Sequence, residues 1–546
     1  YWKLGADSRD YSGRDNHGVN HGVLFGAAGP LGSQAAEFRG DGQYIEVPDA
    51  DTFDFAADDF TLSVWIKCKT PMTDITGDIL NKYDPAARRG LNLHISGSSP
   101  AYSSVSDVRN VHFGIDNGRT GTWVDHGRPS PTNTLISAMV VYRGELYAGI
   151  ADAVKPEEAC RVYRFAGGQK WVDCGRLGDD PKCHSVMSLL VHQDRLYAGN
   201  GTWDWVAVNH NETGQARVFC YEGGTRWRDL GAVADSRRAT SLASFGGDLY
   251  VADDRMHVSR YQGDQKWAMV KQSEAKVDRI DSMMLYRGQL YGSRTYSWLY
   301  QGGANWLRVG DLVESHQISQ IHSMVVYGGR LYIGGWPSGR IMRYEGPNQW
   351  TECGLVGVDP KHVCNEINDF AVYNGKLYAG VIPKSEVWRY EGGKDWTRLK
   401  QLVNNPRWEV GDRETWNRIP CMVIFQGRLF MGTSTCRGYA DAEDRTETGR
   451  VFSWQAGQCV SYDHDLGGDW KHLVAVRQGG ELKLYVDGKL EVTSPAFERA
   501  DYSISNGQPL KVGFGAENYF HGWMRELRVY RRVLAPAEIE NLYRQP

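Results

Sequence analysis

Asp281, His322 and Asn368 occupy the same place in three successive copies of a pattern that repeats along the middle of the chain. Each stands two residues ahead of an apolar residue that the pattern keeps, Met283, Met324 or Phe370. A carboxylate, an imidazole and an amide at one level can orient, hold and move a proton, and histidine is the side chain whose ordinary pKa suits that work near neutrality. Extending the alignment to Met139, Met187, Leu242 and Met422 places Ser137, Ser185, Thr240 and Pro420 at the same level, with His184 and Asp369 one place off it. The stretches between the second and third apolar runs of the copies add Trp205, Arg255, Arg294, Tyr296, Trp336, Arg437 and Tyr439. Arginine grips a carboxylate as a two-pronged fork. Flat aromatic faces beside a few fixed polar groups are how a pocket holds a sugar.

Two reactions on a glycan use such a set. β-Elimination at a uronate needs a cation for the carboxylate, a role open to Arg294, Arg255 or Arg437. It also needs a base for the C5 proton, a role open to His322, His184 or Tyr296. Hydrolysis needs paired carboxylates; Asp281 and Asp369, two copies apart, would suit the roughly 6.5–9.5 Å of an inverting pair. Cations and imidazoles outnumber well-placed carboxylates, so elimination is the first reading and hydrolysis the second. Asn368, Trp205, Trp336 and Tyr439 would then contact substrate, and no cofactor is required. Glycan binding without chemistry is the competing class. It would favour the same binding residues in every copy, whereas here they differ from copy to copy, which points to one unique site. A copper oxidase is a third class; it would need two His, two Tyr and a Cys around one metal, and the sequence does not assemble that set.

The elements that carry these residues are short strands. The steps Leu146-Tyr147, Leu196-Tyr197, Leu249-Tyr250, Leu290-Tyr291, Leu331-Tyr332, Leu377-Tyr378 and Leu429-Phe430 mark seven copies. Each follows an apolar run and a two-residue turn such as Arg143-Gly144, Gly328-Gly329 or Asn374-Gly375, which is strong hairpin grammar. Six copies carry a later tryptophan at a fixed offset, Trp171, Trp227, Trp267, Trp306, Trp350 and Trp396; the seventh lacks it. Four strands in about 40 to 50 residues make a propeller blade. The Leu-Tyr-x-Gly, Arg-Tyr-Glu-Gly, Trp order is similar to Kelch blades, and the whole resembles the seven-bladed propellers of carbohydrate-active proteins such as polysaccharide lyases. The fixed tryptophans are expected to pack between blades. Two long loops, 199–215 and 432–449, and a shorter one, 151–159, would wall one side of a central pocket.

The flanks follow another grammar. Phe60-Thr-Leu-Ser-Val-Trp-Ile-Lys67 alternates as a half-buried antiparallel strand. The openings Asp10-Tyr-Ser-Gly13 and Phe38-Arg-Gly-Asp-Gly-Gln-Tyr-Ile-Glu-Val-Pro48 resemble the laminin-G-like jelly roll of the concanavalin superfamily, and Trp470-Lys-His-Leu-Val-Ala475 and Leu484-Tyr-Val-Asp-Gly488 resemble that family's later strands. The expected architecture is all-β: a seven-bladed β-propeller over 126–457 inserted into a concanavalin/laminin-G-like β-sandwich made of 1–125 and 458–546. The resemblance implies an accessory glycan-binding module with calcium on its rim, for which Asp10, Asp15, Asn16 and Asp41 are available by position.

Composition sets the remaining bounds. Gly 63, Trp 19 and Tyr 29 suit an all-β chain. A net charge of −4 offers no basic surface for nucleic acid. No apolar run reaches the ~18–20 residues of a membrane span. The start at Tyr1 reads as a mature or trimmed form, from which secretion, extracellular or periplasmic, is inferred. Cys174 with Cys183 and Cys353 with Cys364 sit in equivalent loops, where two short bridges would suit an oxidising compartment. A monomer that binds a polysaccharide or other glycan is expected.

Overall fold

The computed structural model describes residues 1–97, 104–152, 155, 158–202, 214–272, 280–312, 318–357, 365–403, 416–436 and 448–545. Seven four-stranded units form the middle of the chain. Their first strands, Leu135–Tyr142, Ser185–His192, Ala239–Phe245, Ser282–Tyr286, Ile318–Tyr327, Glu366–Tyr373 and Trp416–Phe425, neighbour one another in a closed ring. This is the seven-bladed propeller. Both turn residues of every first hairpin lie at positive φ, from Arg143 at 50° and Gly144 at 79° to Gln426 at 49° and Gly427 at 68°. That mirror-image turn matches the twist of the flanking strands. A Cβ at Gly427 would stand 2.2 Å from the Cys459 carbonyl oxygen, so that turn admits only glycine.

The seventh blade closes with a strand from the other end of the ring. Val451–Gln455 pairs with Thr122–Asp125, and Trp454 faces Trp123 across the register with ring centroids 4.7 Å apart. Trp123 therefore fills the place of the tryptophan missing from the seventh copy. The expected packing role of the other six holds in detail. Trp227 donates to the Cys174 carbonyl at 2.8 Å, Trp267 to Leu230 at 2.9 Å and Trp396 to Cys353 at 2.8 Å, each in the preceding blade. Burying an indole here removes apolar area from water and, in every one of the six but Trp350, satisfies its N–H.

The flanks build two seven-stranded sheets, each drawing on both ends of the chain. In one, Asn110–Asn117 pairs with Gln458–Tyr462; in the other, Phe60–Cys68 lies between His521–Tyr530 and Lys471–Gln478. Phe38, Phe60, Phe113, Leu473, Leu484 and Phe520 share the core between the sheets. Phe60–Cys68 is not half-buried as its alternation suggests. Thr61 and Ser63 are buried too. The C-terminal segment covers that face: Thr61 donates to the Arg532 carbonyl at 2.9 Å, and Tyr543 on the helix Pro536–Arg544 stacks on Trp65, while Ser63 meets His472 of the neighbouring strand at 2.9 Å.

The sandwich caps the turn face of the ring, touching all seven first-hairpin turns. Gly144 N–H donates to the Asp463 carbonyl, Gly246 to Met72 and Gly328 to Ala516, at 2.7–2.9 Å. Gln193 N–H donates to the Asp107 carboxylate, Gly288 to Asp74 and Gln426 to Asp463, at 2.9–3.1 Å. The Asn374 amide donates to Ile115 and Ala456 carbonyls. The Cys174–Cys183 bridge does not form: both thiols are free and buried, with Cys174 Sγ near the Val172 carbonyl and Cys183 Sγ near that of Gln215. Cys353 is likewise free, and Cys364 lies outside the described residues.

Candidate functional site

A β-bulge in the first strand of the blades sets the site. In the fifth blade Ile321 pairs with Gly335 and Ser323 with Gly334, leaving His322 as the extra residue. Ser137, Met187, Thr240 and Asn368 are the extra residues of their blades, and Ile419–Pro420 play the part in the seventh. Asp281 stands at the equivalent place, immediately ahead of Ser282–Tyr286. Bulges re-aim a side chain and release it from strict alternation. The second blade's member is thus Met187 rather than Ser185, and His184 sits three residues ahead of it, at another level. Met187 imitates the apolar marker of the repeat, which hides the true frame.

A second level lies two residues earlier, where Arg238, Gln320, Glu366 and Arg418 stand. The two levels meet at His322. Its Nδ1 is 3.3 Å from Asp281 Oδ2 and 3.6 Å from Glu366 Oε1, and its Nε2 is 2.9 Å from Gln320 Oε1. Arg294 pairs with Asp281, Arg418 Nη1 lies 3.7 Å from Glu366 Oε1, and the Asn368 amide donates to Glu366. The charged members are nearly enclosed: His322 and Asp281 are 3% exposed and Glu366 2%, while Gln320 is half-buried. Two carboxylates, two guanidiniums and one imidazole therefore share one buried network contributed by the fourth to seventh blades. Such a network needs all its charges matched, because one lost partner leaves a buried charge uncompensated.

Asp281, His322, Asn368 and Arg294 come together as expected. Asp369 does not join them. It takes the repeat position of Ser188 and Ser323, whose hydroxyls donate to a first-strand carbonyl of the next blade at 3.0 Å. Asp369 instead accepts from Met422 N–H at 2.7 Å, and burial holds its carboxyl far above the usual range. The acid opposite Asp281 is Glu366. Tyr296 lies under Arg308, whose guanidinium is 3.6 Å from the ring centre. Arg255 pairs with Asp235 at 3.1 Å, and Trp336 is a half-buried strand residue paired with Gln320. Trp205, Arg437 and Tyr439 lie outside the described residues.

The four residues proposed for calcium are not gathered into a cradle. Asp10 accepts from the Tyr1 amino group, from Ser12 N–H and Oγ and from Asn16 N–H at 2.8–3.1 Å, and its pKa is lowered to about 2 as these donors outweigh its burial. Asp41 pairs with Arg287 at 3.2 Å, while Asp15 is exposed beside His17. N–H donors occupy the Asp10 oxygens a cation would need, so these residues do not fit the ion.

A model of the concanavalin A-like lectin/glucanases superfamily matches residues 426–540. Solved structures similar to this chain include virginiamycin B lyase from Staphylococcus aureus, 9% identical over 61% of this chain and 99% of that one, with a TM-score of 0.43. The extracellular domain of the hybrid two-component system BT4673 from B. thetaiotaomicron is 14% identical over 70% of this chain and 47% of its own length, with a TM-score of 0.43. The WD40 propeller domain of Doa1 is 8% identical over 61% and 97%, with a TM-score of 0.40. No helix among the described residues is long and apolar enough to cross a membrane.

Proposed function

We propose that the protein is an extracellular glycan-binding protein whose propeller cleaves a uronate-containing chain by β-elimination, with His322 as the base. The observation that supports this reading is the bracket of Asp281 and Glu366 around His322 Nδ1. A carboxylate on Nδ1–H makes Nε2 the basic nitrogen and fixes the plane of the ring. Nε2 faces the Gln320 Oε1 acceptor at 2.9 Å, so the resting ring carries a proton there; substrate binding displaces Gln320, and the ring acts as base once that proton is lost. His322 takes the C5 proton, negative charge gathers on the uronate carboxylate, and the C4–oxygen bond breaks as the C4–C5 double bond forms, its electron pair leaving on the oxygen, which takes a proton from water. Arg294 and Arg418, already at the network, favour that charge.

The test is incubation with polygalacturonate and other acidic or neutral polysaccharides, following absorbance of the unsaturated uronate together with reducing ends. Both signals rising together support elimination. Reducing ends without absorbance would replace it by hydrolysis, with Asp281 and Glu366 as the acids. Glycan binding without cleavage is the second reading; the lectin/glucanases match over 426–540 and the enclosure of the cluster favour it. Retained binding with neither signal would establish it over the first.

A further inference from the structure

The sandwich carries a cavity of about 460 Å³ that contributes nothing to the propeller cluster. Its size is that of a small-ligand site. Arg14, Arg528, Arg531 and Arg532 line it, and no Asp or Glu does among the described residues. In a chain of net charge −4 that is a local reversal of sign. Two of the guanidiniums are paired with carboxylates outside the lining: Glu526 is 2.6 Å from Arg528 and Glu538 2.6 Å from Arg532. Arg531 donates to the Asp51 carbonyl at 2.5 Å, and its only carboxylate neighbour among the described residues is Asp58, at 3.9 Å and outside the lining. Arg14 is exposed and has no ion-pair partner among the described residues. The Tyr1 and Tyr530 rings join the wall, the former 4.7 Å from the Arg528 guanidinium.

We infer that this groove binds an anionic saccharide unit, its carboxylate or sulfate on the arginines and its ring face on the tyrosines. Guanidiniums form a planar fork for an oxyanion, and amphipathic aromatic rings suit the apolar face of a sugar. The inference stands independently of the elimination chemistry. It gives the sandwich a hold on the same class of polymer whose cleavage is proposed for the propeller.

Affinity electrophoresis of the whole protein through gels containing polygalacturonate, heparin or dextran tests it. The protein should be retarded by an acidic polymer, not by dextran, and less so as salt rises. Retardation by polygalacturonate identifies a carboxylate ligand, and by heparin alone a sulfate. The double variant Arg14→Glu/Arg531→Glu should weaken retention about tenfold or more, and Arg14→Lys should weaken it less than Arg14→Glu. If the double variant melts early, Arg14→Glu alone carries the test, since that residue is exposed. Equal retardation in dextran, no retardation by either acidic polymer, or unchanged retention in the glutamate variants overturns the assignment. His322→Asn should leave retention intact, so failure of the cleavage reading and failure of this one are separable.

Discussion

His322 is the residue on which the chemistry turns, and two substitutions separate its proposed roles. His322→Asn should lower the unsaturated-uronate signal by about 10²–10⁴ while polymer binding persists, the range expected for a lost general base. Asp281→Asn keeps the shape but removes the carboxylate that favours the protonated imidazole. It should reduce turnover less than His322→Asn and move the acid limb of the pH–rate profile to lower pH. An unmoved limb would show that Asp281 does not hold the base. The sequence makes Asp281, His322 and Asn368 visible because bulge residues escape the apolar alternation of their strands. Gln320 and Arg418 are invisible by that signal: they occupy ordinary polar strand positions, and only the folded ring places them two residues above the bulge. Asp369 misleads for the opposite reason, since an acid one place from the bulge looks functional until its carboxylate is seen accepting from Met422 N–H in the next blade.

At the scale of the element, ring closure rests on one short strand. Thr122–Asp125 completes the seventh blade, and Trp123 meets Trp454 where the other blades set a tryptophan against Tyr or Phe. Trp123→Ala should cost about 2–4 kcal/mol, read as an earlier urea midpoint, as expected for truncating a packed aromatic. An unchanged midpoint would mean that the ring closes without it. The blade count and the hairpin turns are legible because each turn writes its own chemistry into two residues. The closing strand is not, because its partner in the blade lies more than three hundred residues away and local periodicity says nothing about such pairs. The buried polar face of Phe60–Cys68 escapes the sequence for the same reason, as its cover comes from residues 532–543.

For the molecule as a whole, acids at the seam between sandwich and propeller tie stability to pH. Asp74 and Asp463 accept from turn N–H groups of the fourth and seventh blades, and Asp78 accepts from Glu517 and Asn518 N–H. Burial pushes all three up to about 7, against the backbone donors that pull the other way. Their folded pKa values exceed the ~3.9 of an unfolded Asp. The contribution they make is therefore full below about 4 and is lost as pH rises through about 7. The melting temperature should fall between pH 5 and pH 8, and Asp74→Asn/Asp463→Asn should flatten that slope. A melting temperature that rises over this window would contradict the assignment. The route between the two bodies has its own consequence. Asn110–Asn117 and Gln458–Tyr462 are adjacent antiparallel strands, so the whole propeller is topologically the loop of one sandwich hairpin. The entropy of closing a loop grows only with the logarithm of its length, and here the two ends of the loop are already zipped by the Thr122–Asp125 pairing. Seen from the sandwich, three hundred and more inserted residues weigh little more than a tight turn, so gaining or shedding the ring requires no change in the order of its strands.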